Sequence, residues 1–383
     1  MRVLMVTSFP VPGEYDGTAM LPIKILRALK KRGGVEVVLA HLKARRPWGR
    51  MTRGDFEGTE SFTLSPHSWF LGLRAIRREF PFDLVHAQHY GGATRAYAAC
   101  RAGGWPMVYE IHSLLGDEVE RDRLGRGLAF RATLALERRA CRRAAAVIAL
   151  GEPVRRVVIE EKAVPPERVS VIYPGIDLGE YERAIPPAEI AGVDASHEVI
   201  MYVGSIVHPN QGVPVLIAAL PRVFAARPNA RCVLVGGPAE AGDLYRSQLG
   251  EDGARLVVLT GRTPEEVVAL TRRADVLVHP RLACRENYSV QSKIAVYLAA
   301  ERPIVATDFG DYKHLLGDSG AGLLTSPTPD SVAEGIIRVL SEPALAASLS
   351  AATRAVAEEH FAMDRNVERY VDVYRRAMAV GPG

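Results

Sequence analysis

The feature that most constrains this chain is a pattern that runs once and then begins again. Short apolar segments alternate with stretches of helical periodicity. In the first half the apolar segments are VLMVTSF, VEVVLAHL, DLVHAQH, PMVYEIHS and AAAVIAL. AMLPIKILRALKKRG reads as a helix stopped at Gly33-Gly34, and residues 128–145 read as another. The second half repeats the scheme with EVIMYVGS, ARCVLVGG, ARLVVLTG, ADVLVHP and RPIVATD. Uninterrupted apolar runs suit strands covered on both faces, and strands alternating with helices imply parallel sheets. The expected fold is α/β, with two Rossmann-like doubly wound domains facing an interdomain cleft. The 383 residues exceed what one core usually organises. Proline and glycine punctuate SVIYPGIDLGEYERAIPPAE, a linker candidate near residues 172–190. The expected spans are 1–177 and 178–360, with residues 361–383 forming a helix that packs back across the boundary.

Open parallel sheets bind ligands at the carboxyl ends of their strands. That directs attention to the turns after Phe9, Gly204, Gly236, Gly261 and Pro280. No GxGxxG loop follows any strand, which argues against a nicotinamide or flavin enzyme. Asp16, Gly17 and Thr18 in the first turn, with His89 in VHAQH, are the acceptor-binding candidates; His86 is a weaker one. The N-terminal MRVLMVTSFP reads as a buried strand, not a secretory signal. No apolar run reaches the roughly 18 residues of a membrane span. Cys100, Cys141, Cys232 and Cys284 are far apart and lack any CxxC, so reduced thiols and a cytoplasmic setting are expected, with no metal site.

Charge is divided unevenly. Residues 1–180 carry 28 Lys+Arg against 20 Asp+Glu, a net +8, whereas the remainder nets −4. An anionic partner for the first half follows, yet no nucleic-acid signature is present. PWGRMTRG, Trp69-Phe70 and LRAIRREF place basic charge beside aromatic residues, suiting peripheral contact with an anionic membrane at its inner face.

Several ordered motifs carry a resemblance. They are ERRACRRAAAVIALGEPVRRVV, RVSVIYPGID, YVGSIVHPNQGVPVLIAAL, CVLVGGP, VVLTGRTPEEVVALTRRADVLVHPR and RENYSVQSKIAVYLAAERPIVATD. Together they resemble glycosyltransferase family 4, the retaining GT-B enzymes, over most of the chain and most strongly from 137 to 325. The resemblance implies a nucleotide-diphosphate sugar as donor in the C-terminal domain. It implies a glycan, lipid-linked or small-molecule acceptor in the N-terminal one, with retained anomeric configuration and no metal or other cofactor. Helix N-termini can meet the charge of the leaving diphosphate.

Carried over residue by residue, the resemblance assigns donor contacts to Gly204, Ser205 and Gln211, where the family usually has arginine and lysine at the latter two. It gives Gly261, Arg262 and Thr263 to the base, although Thr263 with Glu266 also reads as a capping box. Backbone N–H groups of Ser289, Val290 and Gln291 fall to the phosphates, together with Lys293, for which a solvated lysine is the plain alternative. The EX7E motif is degenerate. Glu286 can be its first carboxylate through a loop lengthened by two residues, but the second position, counted back from Pro303, falls on Val296. Glu286 and His112 are the catalytic candidates. Glu110, Asp117 and Glu118 read more simply as a solvated face. The competing reading is a non-catalytic GT-B scaffold that has lost its donor-binding charges.

Overall fold

A computed structural model describes residues 1–8, 17–42, 51–65, 68–115, 127–183, 186–282 and 289–381. The chain forms two compact units: one from Met1–Gly175 with Met363–Gly383, the other from Ile176–Ala362.

The first unit is built on β1 (Arg2–Thr7), β2 (Glu36–Leu42), β3 (Thr52–Phe56), β4 (Thr59–Leu64), β5 (Leu84–Gln88), β6 (Met107–Ile111), β7 (Ala146–Ala149) and β8 (Val169–Val171). They lie in the order β3-β4-β2-β1-β5-β6-β7-β8. Every described pairing is parallel except β3 with β4. The helices are α1 (Gly17–Arg32), α2 (Trp69–Glu79), α3 (His89–Gly103), α4 (Leu128–Arg143) and α5 (Glu152–Glu160). α1 stops where Gly33, at φ 75°, turns the chain into a conformation that costs glycine least.

Sequence pattern missed the β3–β4 hairpin. Its two turn residues, Glu57 and Gly58, have φ values of 52° and 68°, the signature of a type I′ turn that favours Asn-Gly or Asp-Gly. Here a glutamate takes the first position. Its carboxylate is held by Arg27 at 2.5 Å, and Asp55 accepts a hydrogen bond from the Gly58 N–H at 2.9 Å. The chain passes from one unit to the other between Gly175 and Ile176, inside the expected linker, but the segment is not a free one. β8 pairs with β7, and Ile172 and Tyr181 are buried, so the segment begins inside a sheet and is packed beyond it.

The C-terminal helix, Met363–Val380, lies against α1 and completes the first unit's core. Val367, Tyr370, Val371 and Tyr374 join Val3, Met5, Ile25 and Leu29 there. The exposed pairs Lys31–Asp364 and Arg32–Glu368 border that contact, where ion pairs add little. A buried hydrogen bond from Asn366 Nδ2 to the Tyr173 carbonyl, 2.9 Å, fixes the helix start.

The second unit carries β9 (Glu198–Val203), β10 (Ala230–Val235), β11 (Leu256–Leu259), β12 (Val276–His279), β13 (Ile304–Thr307) and β14 (Leu323–Thr325), ordered β11-β10-β9-β12-β13-β14 and all parallel. Its helices are α6 (Gly179–Glu182), α7 (Val213–Ala226), α8 (Ala239–Gln248), α9 (Pro264–Arg273), α10 (Ser292–Ala299), α11 (Pro329–Ser341) and α12 (Pro343–Val356). In each sheet the first strand has its successor on one side and a later strand on the other. These reversals, β1 beside β5 and β9 beside β12, are the switch points where strand ends are left uncovered.

Truncating Leu29, which is fully buried between β1 and the C-terminal helix, should cost about 2–5 kcal/mol. Urea unfolding of Leu29→Ala against the parent protein measures this; a loss under about 1 kcal/mol would mean the helix is not part of that core.

Candidate functional site

At the switch point of the second unit, β9 ends at Val203 and Gly204 follows it. Its φ of 134° lies where only glycine is at ease, and a Cβ there would press into the Lys293 ammonium. Lys293 comes from the first turn of α10 and donates to Gln211 Oε1 at 2.7 Å and to the Tyr202 hydroxyl at 2.8 Å. Its ammonium also stands 4.3 Å from the centre of the Tyr202 ring. Tyr202 in turn donates to the Ser205 carbonyl, 2.9 Å away. Gln211 is buried, in the tight turn Pro209–Gln211, and Gly212 after it packs directly on the Pro280 carbonyl at the end of β12.

Lys293 is therefore partly buried, and the solvated-lysine alternative does not hold. Burial first, and then the buried Arg281 guanidinium, press its pKa well below the ordinary lysine value. The same pressures, burial followed by Lys293 and Arg281, push His279 well below its usual value. His279 Nε2 contacts the Tyr312 hydroxyl at 3.0 Å. Among the described residues no carboxylate lies within ion-pair distance of Lys293. The geometry is that of a cation held by neutral oxygens at a strand end.

Ser289, Val290 and Gln291 lead into α10. The Val290 side chain is in the core, which leaves its backbone N–H as the group that could meet a ligand. The Gln291 amide oxygen is buried with no hydrogen-bond partner among the described residues. α10 carries no carboxylate, and Val296 on it is half-buried. Glu286, with Asn287 and Tyr288, lies outside the described residues. Gly261, Arg262 and Thr263 follow β11, two strands from β9, roughly 10 Å across the sheet. All three are exposed. The capping box is formed: Thr263 Oγ1 accepts from the Glu266 N–H, and the Thr263 N–H donates to Glu266 at 2.8 Å. Arg262 pairs with Glu266 at 2.9 Å.

In the first unit, Gln88 and Thr7 are register partners at the ends of β5 and β1. The Gln88 amide is fully buried, and neither of its polar atoms has a partner among the described residues. His89 begins α3 at φ 61°, a strained conformation for a side-chain-bearing residue, with Nε2 3.1 Å from Ser113 Oγ. His112 follows β6 and is buried, its Nε2 3.5 Å from Glu110 Oε1. Gly17 and Thr18 open α1; Asp16, Asp117 and Glu118 lie outside the described residues.

Two surface expectations are corrected. Glu110 is fully buried, not on a solvated face. Burial pushes its carboxyl up, but hydrogen bonding from His112 and His86 outweighs that and holds it down at about 2. Trp69 is buried too, because α2 turns Trp69, Gly72, Leu73 and Ile76 inward. Phe70 and Leu71 are exposed instead. Of the basic segment at 43–53, residues 43–50 lie outside the described residues. Sequence reading missed Tyr202, His279, Arg281, Tyr312 and Gln88. The available signal was position, since each lies at or beside the end of a strand or its following loop.

The description Glycosyltransferase Family 4 matches residues 15–180, and Glycosyl transferases group 1 matches residues 197–342. D-inositol 3-phosphate glycosyltransferase of Kineococcus radiotolerans is 25% identical, covering 96% of this chain and 92% of its own. Among solved structures, sucrose-phosphate synthase from Thermosynechococcus elongatus superposes with a TM-score of 0.79 at 17% identity, covering 99% of both chains. Anabaena HepE in complex with UDP and glucose gives 0.72 at 20% identity, covering 98% of this chain and 99% of its own. The two parallel-sheet units and these likenesses define a GT-B glycosyltransferase. Within that class, the chain belongs to glycosyltransferase family 4. No helix among the described residues is long and apolar enough to cross a membrane.

The capping box separates two roles for Thr263. Thr263→Ala should cost about 1 kcal/mol of stability through the lost cap. If the loop meets a base through its backbone, nucleotide affinity stays within about twofold of the parent. A calorimetric titration showing a tenfold loss would instead make the side chain a ligand contact.

Proposed function

We propose that the protein transfers a sugar from a nucleoside diphosphate donor to an acceptor hydroxyl with retention of anomeric configuration and without a metal ion. The observation that carries this reading is Lys293, an amine whose partners among the described residues are neutral acceptors beside the glycine end of β9. A diphosphate would supply the missing negative charge. It would also receive the N–H groups that open α10, where a helix terminus favours an anion. Lys293 thus takes up the charge that Ser205 and Gln211 do not provide. The base would lie along Gly261, Arg262 and Thr263, and the phosphates along Gly204, Ser205 and Ser289–Gln291.

In the reaction, the bond from the anomeric carbon to the diphosphate breaks and a bond to the acceptor oxygen forms on the same face. The hydroxyl proton leaves with the departing phosphate. Positive charge held in place before the reaction stabilises the leaving group without reorganisation. Glu286 and His112 would attend the sugar, and Asp16, Gly17, Thr18 and His89 the acceptor. Gln88, whose buried amide has no partner among the described residues, suits the recognition of a hydroxyl.

Calorimetric titration with UDP, GDP, ADP, dTDP and CDP tests the reading; UDP is the first to try, since Anabaena HepE was solved with it. At least one nucleotide should bind, and Lys293→Met should weaken it roughly 10- to 100-fold, the worth of one charge-assisted hydrogen bond. Because the charged amine is the form that meets a phosphate, that affinity should fall as pH rises through the lysine's depressed pKa. Binding of none of the five at millimolar concentration would favour the scaffold reading.

An acceptor at a lipid surface is supported by α2, whose outer side exposes Phe70, Leu71, Arg74 and Arg78. Basic residues beside an aromatic and an aliphatic side chain suit an anionic headgroup layer. Sedimentation with phosphatidylglycerol vesicles should fall steeply with added salt, since surface charge acts over about 10 Å at 0.1 M. In Leu71→Glu with Arg74→Glu it should vanish; unchanged sedimentation in that variant removes the surface.

A further inference from the structure

One group of buried polar side chains in the first unit takes no part in the reading above. It sits directly behind His112. Glu110, at the end of β6, is fully buried, as are His86 on β5 and Tyr370 and Tyr374 on the C-terminal helix. The contacts run in one direction. The Tyr374 hydroxyl lies 2.9 Å from His86 Nδ1, and His86 Nε2 lies 2.9 Å from Glu110 Oε2. The Tyr370 hydroxyl donates to Glu110 Oε1 at 3.1 Å, and the same oxygen faces His112 Nε2 at 3.5 Å. If Tyr374 donates to His86 Nδ1, the His86 proton sits at Nε2, which faces Glu110 Oε2 at ion-pair distance without the alignment of a hydrogen bond.

A core built only for stability has little use for such a group. Buried charge costs several kcal/mol in desolvation, and well-packed apolar replacements are often neutral or stabilising. The same two strands show the apolar solution at their other buried positions: Val85 and Ala87, then Met107, Val108 and Ile111. The ionisable groups on these strands lie from the middle toward the carboxyl end, near Gln88, His89 and His112, while the buried Tyr109 hydroxyl donates to Glu137. The tyrosines come from a helix some 260 to 288 positions away in sequence, so the contact is a long-range one made through side-chain hydroxyls.

We propose that Glu110, clamped by His86 and by Tyr370 and Tyr374 of the C-terminal helix, is a positioning residue that fixes the ring orientation and tautomer of His112. It acts through His112 and does not itself meet a ligand. An imidazole whose Nε2 faces an anchored carboxylate keeps its proton at Nε2, as the partner of one ring nitrogen sets the state of the other. The value for transfer is that the ring is already set when a sugar arrives. This rests on the placement of His112 in the transfer site, but the tautomer itself can be read without any substrate.

The test is nitrogen NMR on the full chain labelled with 15N-histidine, with the His112 signals assigned by their loss in His112→Gln. The parent should show one His112 species protonated at Nε2. Glu110→Gln, which keeps the size but not the charge, should give a mixture of tautomers. Tyr370→Phe, which removes a single oxygen, should shift the same signals in the same direction. If Glu110→Gln does not fold, Tyr370→Phe decides alone. An unchanged His112 signal in a folded variant overturns the proposal, and so does an Nδ1-protonated ring in the parent. A second readout uses UDP release from UDP-glucose. Glu110→Gln should lower kcat roughly 10- to 100-fold, within the range of acid–base contributions, while UDP affinity and KM stay within about twofold. Equal losses in both, or in neither, would make Glu110 a packing residue. Failure of UDP to bind the parent would count against the transfer reading only, leaving the tautomer result to judge this one.

Discussion

Parallel strands must all finish at the same edge, and a sheet whose order reverses leaves part of that edge without a covering crossover. This constraint organises both units. In one it exposes the ends of β1 and β5, in the other those of β9 and β12. Several buried polar residues lie at or beside those ends: Thr7, Gln88 and Glu110 on one side, Gln211, His279 and Arg281 on the other. Strands covered on both faces are mostly apolar along their length, and in open parallel sheets it is the strand ends that meet ligands.

The two strand ends solve opposite electrostatic problems. The first unit buries a carboxylate and surrounds it with hydrogen-bond donors from three elements, so that burial does not neutralise it. The second buries a lysine among neutral oxygens beside a second cation, so that burial and repulsion both disfavour its charge. One arrangement supplies its own counter-groups. In the other, an anion would relieve both pressures, and under the proposed reading its binding would add stability to the folded state.

Much of this was legible in the sequence. All five apolar runs of the second half are strands, because strands buried on both faces leave little else for such runs to be. Short elements were not legible: β8 and β14 have three residues each. The β3–β4 hairpin hides because its turn opens on Glu57, whose left-handed backbone is held by an arginine from α1 rather than by local preference. Lys293 could be singled out from its place at a helix start, but its partners Tyr202 and Gln211 lie 91 and 82 positions away. Glu110 was misread for the same reason. An acidic residue in a strand looks solvated until tyrosines from the far end of the chain are placed beside it.

The chain leaves the first unit at Gly175 and returns to it only at Met363. During synthesis, then, the ribosome releases an N-terminal sheet whose apolar surface lacks Val367, Val371 and Tyr374 until the whole of the second unit has been made. At typical elongation rates that interval is on the order of ten seconds or more. The inserted unit has its own complete core and can fold first, while the earlier-made one waits with a hydrophobic face open. The unit made first is thus the one finished last, its apolar face uncovered until the final helix arrives.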